Sequence, residues 1–351
     1  MSSPSNPSSP PRNRFHWAPL IGLIVSVALL AWVLQRINLR EVWDHAQHAD
    51  GWLLLLTVTV ATITFPVRTI RWQLILRDRD GRRLPFVPLW HATTIGFMAN
   101  NLLPARAGEV ARAYVASRQL PVRFSTALAS IVVERVFDGL MMLGLMALAI
   151  AAPSFPAHAL VGGRSLAAIA ASTAVLFVVL LAVALLVANR PSFWLAFVAR
   201  IARHLLPARF ADRIVHASDG IIEGLTVLKN PGRFAGVVLW SLVLWLKNAA
   251  AFAICFRAFG LAVPLEAALV LQAIIGFGVA VPSTPGYIGV FEAATLVTLG
   301  FYGVSSSLAA SYALTYHVTT FIPITLLGFW SLSRLHLRLR EVGRAAETQA
   351  P

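Results

Sequence analysis

Residues 100–112 combine helix breakers with charged side chains inside a strongly apolar part of the chain. Pro104 and Gly108 interrupt the apolar pattern, and Arg106, Glu109 and Arg112 lie three residues apart, so they share roughly one helix face. A charge in hydrocarbon costs about 2.5–3.5 kcal/mol on insertion scales, and non-helical backbone is tolerated there only against protein or water. Arginines beside a helix N-terminus suit a phosphate or another anionic headgroup, with Glu109 orienting them or titrating. A local ion pair that only stabilises the turn is the alternative.

Residues 275–292 repeat this pattern about 180 residues later, since Ile95-Gly96-Phe97 and Ile275-Gly276-Phe277 open the two stretches. The breakers and polar residues of the second stretch are Pro282, Ser283, Thr284, Pro285, Gly286, Gly289 and Glu292. We expect the prolines and glycines of both stretches to act as structural hinges. The carbonyl and hydroxyl groups of Ser283 and Thr284 would bind polar groups at a non-helical tip. The repetition indicates an internal duplication, which is typical of transporters.

Three further groups of polar residues lie inside apolar runs. Glu134, Arg135 and Asp138 share one helix, with the two carboxylates one turn apart. They are candidates for substrate binding, and mutual neutralisation near the cytoplasmic end is the alternative.

Lys247 lies in the middle of another run, where an ion pair with Glu292 or Glu109 and a contact with a substrate headgroup are equal alternatives. Tyr316 and His317 lie at nearly the same offset in the second repeat as Glu134 and Arg135 in the first, and they are candidates to relay a proton or bind a headgroup. Arg68 and Arg71 are interpreted as side chains that snorkel to the membrane surface.

The composition excludes an ordinary soluble domain. Of 351 residues, 58% are hydrophobic and only 13% charged, and the net charge is +14. Because the basic residues lie between apolar runs, they indicate cytoplasmic loops and anionic lipid surfaces rather than nucleic acid. The single cysteine, Cys255, supports neither a disulfide nor a metal cluster, and no hydrolase, P-loop or metal motif is present in the sequence. We therefore predict no catalytic residues, no metal and no cofactor.

The apolar runs predict an all-α polytopic membrane protein built as an inverted repeat, with about six spanning helices and two re-entrant helical hairpins. Eight or so full spans are one alternative. For the first hairpin alone, the alternative is one span plus an interfacial helix. The predicted regions are a disordered tail at 1–14, a transmembrane domain at 15–335 with repeats at about 17–151 and 166–332, an amphipathic segment at 190–233, and a basic tail at 336–351. The distribution of arginines places both termini in the cytoplasm of a cell whose inner or plasma membrane holds the chain.

Three ordered motifs resemble the lysylphosphatidylglycerol synthase transmembrane-region family, whose members are flippase-like integral membrane proteins. The motifs are Asn101-x-x-Pro104-x-Arg106-x-Gly108-Glu109-x-x-Arg112, Glu134-Arg135-x-x-Asp138, and Pro282-x-x-Pro285-Gly286-x-x-Gly289-x-x-Glu292. The resemblance covers about residues 17–335 and implies movement of a lipid or lipid-linked headgroup between leaflets. The chain stops after the last span, so we expect the aminoacyl-transferase module of two-domain members to be absent and the chain not to be an enzyme.

Three hypotheses of function follow. The leading one is a flippase-like transporter of an anionic phospholipid or a polyprenyl-linked or glycolipid substrate, acting with a separate synthase or transferase. The second is an intramembrane lipid-modifying transferase, or an accessory subunit of lipid or glycolipid synthesis, with Glu109 or Glu134 as a base. The third is a scaffold that recruits partner enzymes through the arginine-rich segment at 200–213.

Overall fold

The computed structural model describes residues 17–78, 80–103, 107–157, 160–161, 163–208, 210–212, 214–215, 218, 230–280 and 284–343. The predicted residues Pro104, Arg106, Pro282 and Ser283, the tail at 1–14 and residues 344–351 of the C-terminal tail lie outside this part of the chain.

The described chain is helical apart from one short β-hairpin. The helices of the first half are α1 (Trp17–Leu34), α2 (Leu39–Gln47), α3 (Gly51–Thr62), α4 (Thr64–Ile75), α5 (Phe86–Leu102), α6 (Ala107–Gln119) and α7 (Phe124–Ile150). Strands β1 (Leu160–Val161) and β2 (Arg164–Ser165) pair antiparallel and precede α8 (Leu166–Asn189). The second half contains α9 (Pro191–Leu205), α10 (Pro231–Ala258), α11 (Leu265–Ala280), a 3₁₀ turn (Pro285–Tyr287), α12 (Val290–Gly300) and α13 (Ser306–Arg334).

This architecture is an all-α polytopic membrane protein, as the sequence predicts. Within the described residues, three helical segments are both long and apolar enough to cross a bilayer: Gly51–Ile75, Pro231–Ala258 and Ser306–Arg334. The first of these bends at Ile63, where α3 ends and α4 begins just before Pro66, which cannot donate a backbone hydrogen bond. The connection between α1 and α3 contains the short amphipathic helix α2.

The two broken regions each form a hairpin of helices. In the first hairpin α5 packs along α6, and in the second α11 packs along α12. Helices α6 and α12 have 13 and 11 residues, well below the roughly 20 that cross a bilayer. This length favours the predicted re-entrant hairpins over additional full spans.

Glycine allows the arms of the first hairpin to touch. A Cβ atom at Gly108 would collide with the carbonyl oxygen of Gly96 and with the side chain of Asn100. Asn100 also accepts a hydrogen bond from the backbone N–H of Gly108 at 2.9 Å. The contact places the first turn of α6 against the middle of α5, so α6 does not leave the bundle for the membrane surface.

The two hairpins open at opposite ends of α13. The base of the first hairpin packs with Leu332 near the C-terminus of α13, in one apolar cluster that also holds Leu84 and Leu120. The base of the second hairpin packs with Ala309 near the N-terminus of the same helix, in a separate cluster. Since α13 is a single helix of 29 residues, the two bases are far apart.

The hairpin tips meet between these ends. The 3₁₀ turn of the second hairpin contacts α5 of the first. The side-chain amide of Asn101, at the end of α5, donates to Thr325 Oγ1 in α13 at 3.0 Å. The helix contacts of the two halves also correspond. Helix α5 packs on α13 and α11 packs on α7, so the first arm of each hairpin contacts the other half. Helix α6 packs on α7 and α12 packs on α13, so the second arm of each hairpin contacts its own half. An inverted repeat requires this opposed arrangement. The residue bounds of the repeats and the membrane side of each end stay predictions.

Candidate functional site

Four arginine side chains from three helices converge on two carboxylates in the interior of the bundle. The cluster consists of Arg68 and Arg71 from α4, Arg112 from α6, and Glu134, Arg135 and Asp138 from α7. Helical spacing explains the local geometry, because residues three or four positions apart face the same side. The convergence of the three helices is a property of the tertiary structure.

Glu134 is the centre of this cluster. Its side chain is fully buried and lies against all four guanidinium groups. Arg112 makes a two-pronged contact, with Nη1 3.1 Å from Oε1 and Nη2 3.0 Å from Oε2. Arg68, Arg71 and Arg135 place nitrogen atoms 3.2, 3.0 and 3.1 Å from Oε1. A buried carboxylate is stable only when such partners replace its water.

Asp138 connects the cluster to α10. Its Oδ1 accepts a bond of 2.5 Å from Arg71 Nη1 and one of 3.0 Å from the indole N–H of Trp245. Its Oδ2 lies 3.3 Å from Arg68 and from Arg135. The carboxylate therefore links α4, α7 and α10.

An aromatic wall supports Arg112. The guanidinium carbon lies 3.8 Å from the ring centre of Trp72, a geometry that stabilises a cation against an aromatic face. The indole of Trp72 is fixed in turn by a 2.8 Å hydrogen bond from Nε1 to Ser130 Oγ. Arg112 is thus held on two sides.

The described cluster has more positive than negative charges. Four arginines oppose Glu109, Glu134 and Asp138, so the formal sum is 4 − 3 = +1. Glu109 contributes at the edge, with Oε1 3.9 Å from Arg135 Nε. An excess of cationic charge away from bulk water favours an anionic ligand.

A cavity of about 450 Å³ opens beside the cluster. Its wall includes Arg68, Glu109, Arg112, Arg135 and Asp138 on one side. Residues of α10 and α11, together with Tyr287 of the second tip, complete the wall. The cavity therefore lies between the two halves of the chain, where transporters with inverted repeats place their sites.

Arg135 is the cluster arginine with the greatest exposure. Its side chain is 32% exposed, whereas those of Arg68, Arg71 and Arg112 are 0–6% exposed. Its Nε makes no hydrogen bond, although it faces Glu109 at 3.9 Å. Arg135 is therefore the arginine best placed to meet a ligand in the cavity.

The predicted candidates fall into two groups. The described residues Glu109, Arg112, Glu134, Arg135 and Asp138 come together in the charged cluster, and all of them except Glu134 line the cavity. Thr284, Glu292, Tyr316, His317 and Lys247 do not lie in its wall.

Lys247 has partners other than the two carboxylates expected from the sequence. Its ammonium group donates to the carbonyl oxygens of Val60 and Ala61 at 3.0 and 3.2 Å and to the hydroxyl of Thr64. These groups lie at the bend between α3 and α4, where Pro66 removes a backbone donor. The expectation of an ion pair with Glu292 or Glu109 was wrong, because the ammonium group instead binds oxygen atoms at this bend.

Glu292 and His317 form a separate network at the second tip. His317 Nδ1 lies 2.6 Å from Glu292 Oε1, and Nε2 lies 2.8 Å from the carbonyl oxygen of Gly286. Glu292 Oε2 also accepts the backbone N–H of Gly289 at 2.7 Å. Both ring nitrogens face acceptors, so satisfying both takes a doubly protonated ring or a protonated carboxyl group.

The turn of the second tip uses backbone conformations that disfavour side chains. Gly286 and Gly289 have φ angles of +68° and +87°. Tyr287 adopts φ +61° between them and lines the cavity. Tyr316 is buried and stacks on Phe291, with ring centres 5.7 Å apart, so it belongs to the apolar core of the second half.

Sequence reasoning missed three residues of this region. Arg68 and Arg71 do not snorkel, since both are nearly or fully buried against Glu134 and Asp138. Gln272 lines the cavity and is 3% exposed. The sequence already indicated Gln272 as a candidate, because it is a polar side chain in the middle of the apolar run that forms α11. Among the described residues, no group of three or more His, Cys, Asp and Glu side chains is arranged to hold a metal ion.

Comparison with known families assigns the chain. A family model described as the lysylphosphatidylglycerol synthase TM region matches residues 20–328, which include both hairpins and the whole charged cluster. The chain belongs to this family. The resemblance inferred from the three motifs is therefore confirmed.

Curated relatives share a modest fraction of residues with this family member. Glycosyltransferase AglD of Haloferax volcanii is 28% identical over 308 residues, which cover 79% of this chain and 47% of AglD. Two UPF0104 membrane proteins of Methanothermobacter thermautotrophicus are 26% and 25% identical, covering 90% and 87% of this chain and 91% and 92% of their own. The chain thus spans about half the length of AglD. No solved structure matches it.

Proposed function

We propose that this protein carries a lipid or lipid-linked anionic headgroup between the leaflets of a cell membrane. The observation that carries the proposal is the cavity between the two halves, whose arginine-rich wall has an excess positive charge. A phosphate diester brings one negative charge, which balances the formal +1 of the cluster. The opposed hairpins provide the headgroup with access from both leaflets, because each hairpin opens at a different end of α13.

Family membership supports the same proposal. The family takes its description from a synthase of lysylphosphatidylglycerol, a phospholipid, and AglD is named as a glycosyltransferase. Both names connect the relatives with lipid or glycosyl chemistry, and this chain matches the membrane region. A separate synthase or transferase would supply or use the lipid that this chain carries. We place the protein in the inner or plasma membrane with both termini in the cytoplasm, as the basic loops favour.

Arg135→Ala tests the proposal. The substitution lowers the formal charge of the described cluster from +1 to 0 and removes the most exposed arginine of that cluster. Purified protein is reconstituted into liposomes, and transfer of a fluorescent phosphatidylglycerol is followed by quenching of the outer leaflet. We expect at least tenfold slower transfer with Arg135→Ala and partial recovery with Arg135→Lys.

Two controls make this test specific. Arg257→Ala removes an exposed arginine at the end of α10, far along the helix from Trp245, and should leave transfer unchanged. A thermal unfolding midpoint for each variant separates lost transport from lost folding. Transfer at the wild-type rate by folded Arg135→Ala would refute the role of this cavity in anion transfer.

A transferase function is the second candidate, because a relative bears the name glycosyltransferase. Glu134 is poorly suited to act as its base, since four guanidinium groups surround its carboxylate. Glu109 lies at the cavity edge with 28% of its side chain exposed, and it is the better candidate. Product formation from a polyprenyl phosphate sugar by purified protein, lost in Glu109→Gln, would favour this function over transport.

A further inference from the structure

Gln272 is a buried amide without a hydrogen-bond partner in the wall of the cavity. Its side chain belongs to α11, and the residue is 3% exposed. Neither the amide nitrogen nor the amide oxygen makes a hydrogen bond to any residue in the described part of the chain. Leaving both halves of a buried amide unpaired is unfavourable, because each lost its bonds to water on folding.

Another buried glutamine shows the usual arrangement. Gln73 in α4 is also 3% exposed. Its Nε2 donates to the carbonyl oxygen of Leu84 at 2.7 Å, and its Oε1 accepts from Arg83 at 2.8 Å. The difference between the two glutamines is that Gln272 faces the cavity, so a ligand there can complete its bonds.

The chemistry of the amide restricts what such a ligand carries. An ionised phosphodiester has only acceptors, so it can satisfy the Nε2 donor of Gln272 and leaves Oε1 unpaired. A hydroxyl group both donates and accepts, and neighbouring hydroxyls satisfy both atoms of the amide together. The arginine wall, in contrast, contains only donors and requires an acceptor with negative charge.

We propose that Gln272 is a specificity-determining residue that recognises a hydroxyl-bearing group on the phosphodiester whose charge the arginine cluster binds. The ligand class is a polyol or sugar phosphodiester, present either as a lipid headgroup or as a free phosphodiester. The inference rests on the proposed function, because it assumes that the anion binds in this cavity. The proposal adds a second group that binds the ligand, on α11, which belongs to the opposite half of the chain from the arginines on α4, α6 and α7.

A matched pair of lipids tests this proposal. Phosphatidylglycerol and phosphatidylmethanol carry the same charge, and only the former has headgroup hydroxyls. Binding of each lipid to the purified full-length chain in nanodiscs of neutral phosphatidylcholine is measured by competition with a fluorescent anionic lipid. We expect phosphatidylglycerol to bind about tenfold more tightly, the effect of one or two additional hydrogen bonds.

Gln272→Met removes the amide while it retains a similar shape. We expect the variant to lose the preference for phosphatidylglycerol and to bind phosphatidylmethanol as the wild type does. Its thermal unfolding midpoint without added anionic lipid should be equal or higher, because an unpaired polar group is replaced by an apolar one. Gln73→Met, which removes a paired amide, should lower the midpoint.

Each result has a defined meaning. Equal binding of both lipids by the wild type, or an unchanged preference in Gln272→Met, overturns the role of Gln272 and leaves the anion cavity in place. Binding of neither lipid overturns the proposed function itself. Water-soluble glycerophosphoglycerol, added as a competitor, distinguishes the sources: competition as strong as that of phosphatidylglycerol identifies a free phosphodiester as the ligand, and its absence identifies the lipid.

Discussion

Replacing Glu134 by Gln should destabilise the protein strongly. Four guanidinium groups lie within 3.0–3.2 Å of its carboxylate, which is fully buried. The substitution raises the formal charge of the described cluster from +1 to +2, because four arginines then oppose only Glu109 and Asp138. Removing one member of a buried ion pair typically costs about 3–5 kcal/mol, so we expect a loss of at least that size in the free energy of unfolding.

A double-mutant cycle measures the pair that the structure singles out. Arg112 makes the two-pronged contact with Glu134, so Arg112→Met alone should also be destabilising. In the double variant the formal charge returns to +1, and its loss should be smaller than the sum of the single losses by about 1–3 kcal/mol.

Unfolding in mixed micelles of mild and denaturing detergent gives the free energies for this cycle. Glu41→Gln is the matched control, since Glu41 is exposed on α2 and its substitution should change the free energy by less than about 0.5 kcal/mol. A Glu134→Gln variant as stable as Glu41→Gln would refute the reasoning that this carboxylate neutralises the arginines.

Three further predictions concern other contacts. Gly108→Ala should lower the free energy of unfolding by about 1–3 kcal/mol or more, because the added Cβ would collide with the backbone of α5. In the same unfolding assay Gly139→Ala should be neutral, because a Cβ at Gly139 on α7 would meet no other atom of the described residues. Lys247→Met should cost about 1–3 kcal/mol through the carbonyls it leaves unpaired at the bend before α4, and Arg257→Met, an exposed cation of the same helix, should cost little. His317→Ala should loosen the second tip, seen as faster protease cleavage or hydrogen exchange at residues 284–289, and unchanged exchange there would contradict the role of its two bonds.

The sequence determined the class of protein and the position of its irregular segments. Continuous apolar runs of membrane length predict spanning helices, because a helix satisfies its backbone hydrogen bonds within one segment of the chain. Proline and glycine near residues 104–108 and 282–289 predict breaks, since these residues end helices locally. Such signals depend on neighbouring residues alone, so they are readable without the fold.

Charges with regular spacing were also readable from the sequence. Glu134, Arg135 and Asp138 stood out because each is costly in an apolar helix, and the structure places all three in the charged cluster beside the cavity.

Only the tertiary structure decided which charges meet. Arg68 and Arg71 lie near a helix end, where a snorkelling and a buried side chain give the same sequence pattern, and the packing of α4 against α7 selects burial. The ammonium group of Lys247 donates to a backbone carbonyl at the bend between α3 and α4. Gln272 faces a cavity that forms only when the two halves of the chain pack together. Pairing across helices depends on distances between segments far apart in the chain, and helical periodicity carries no information about those distances.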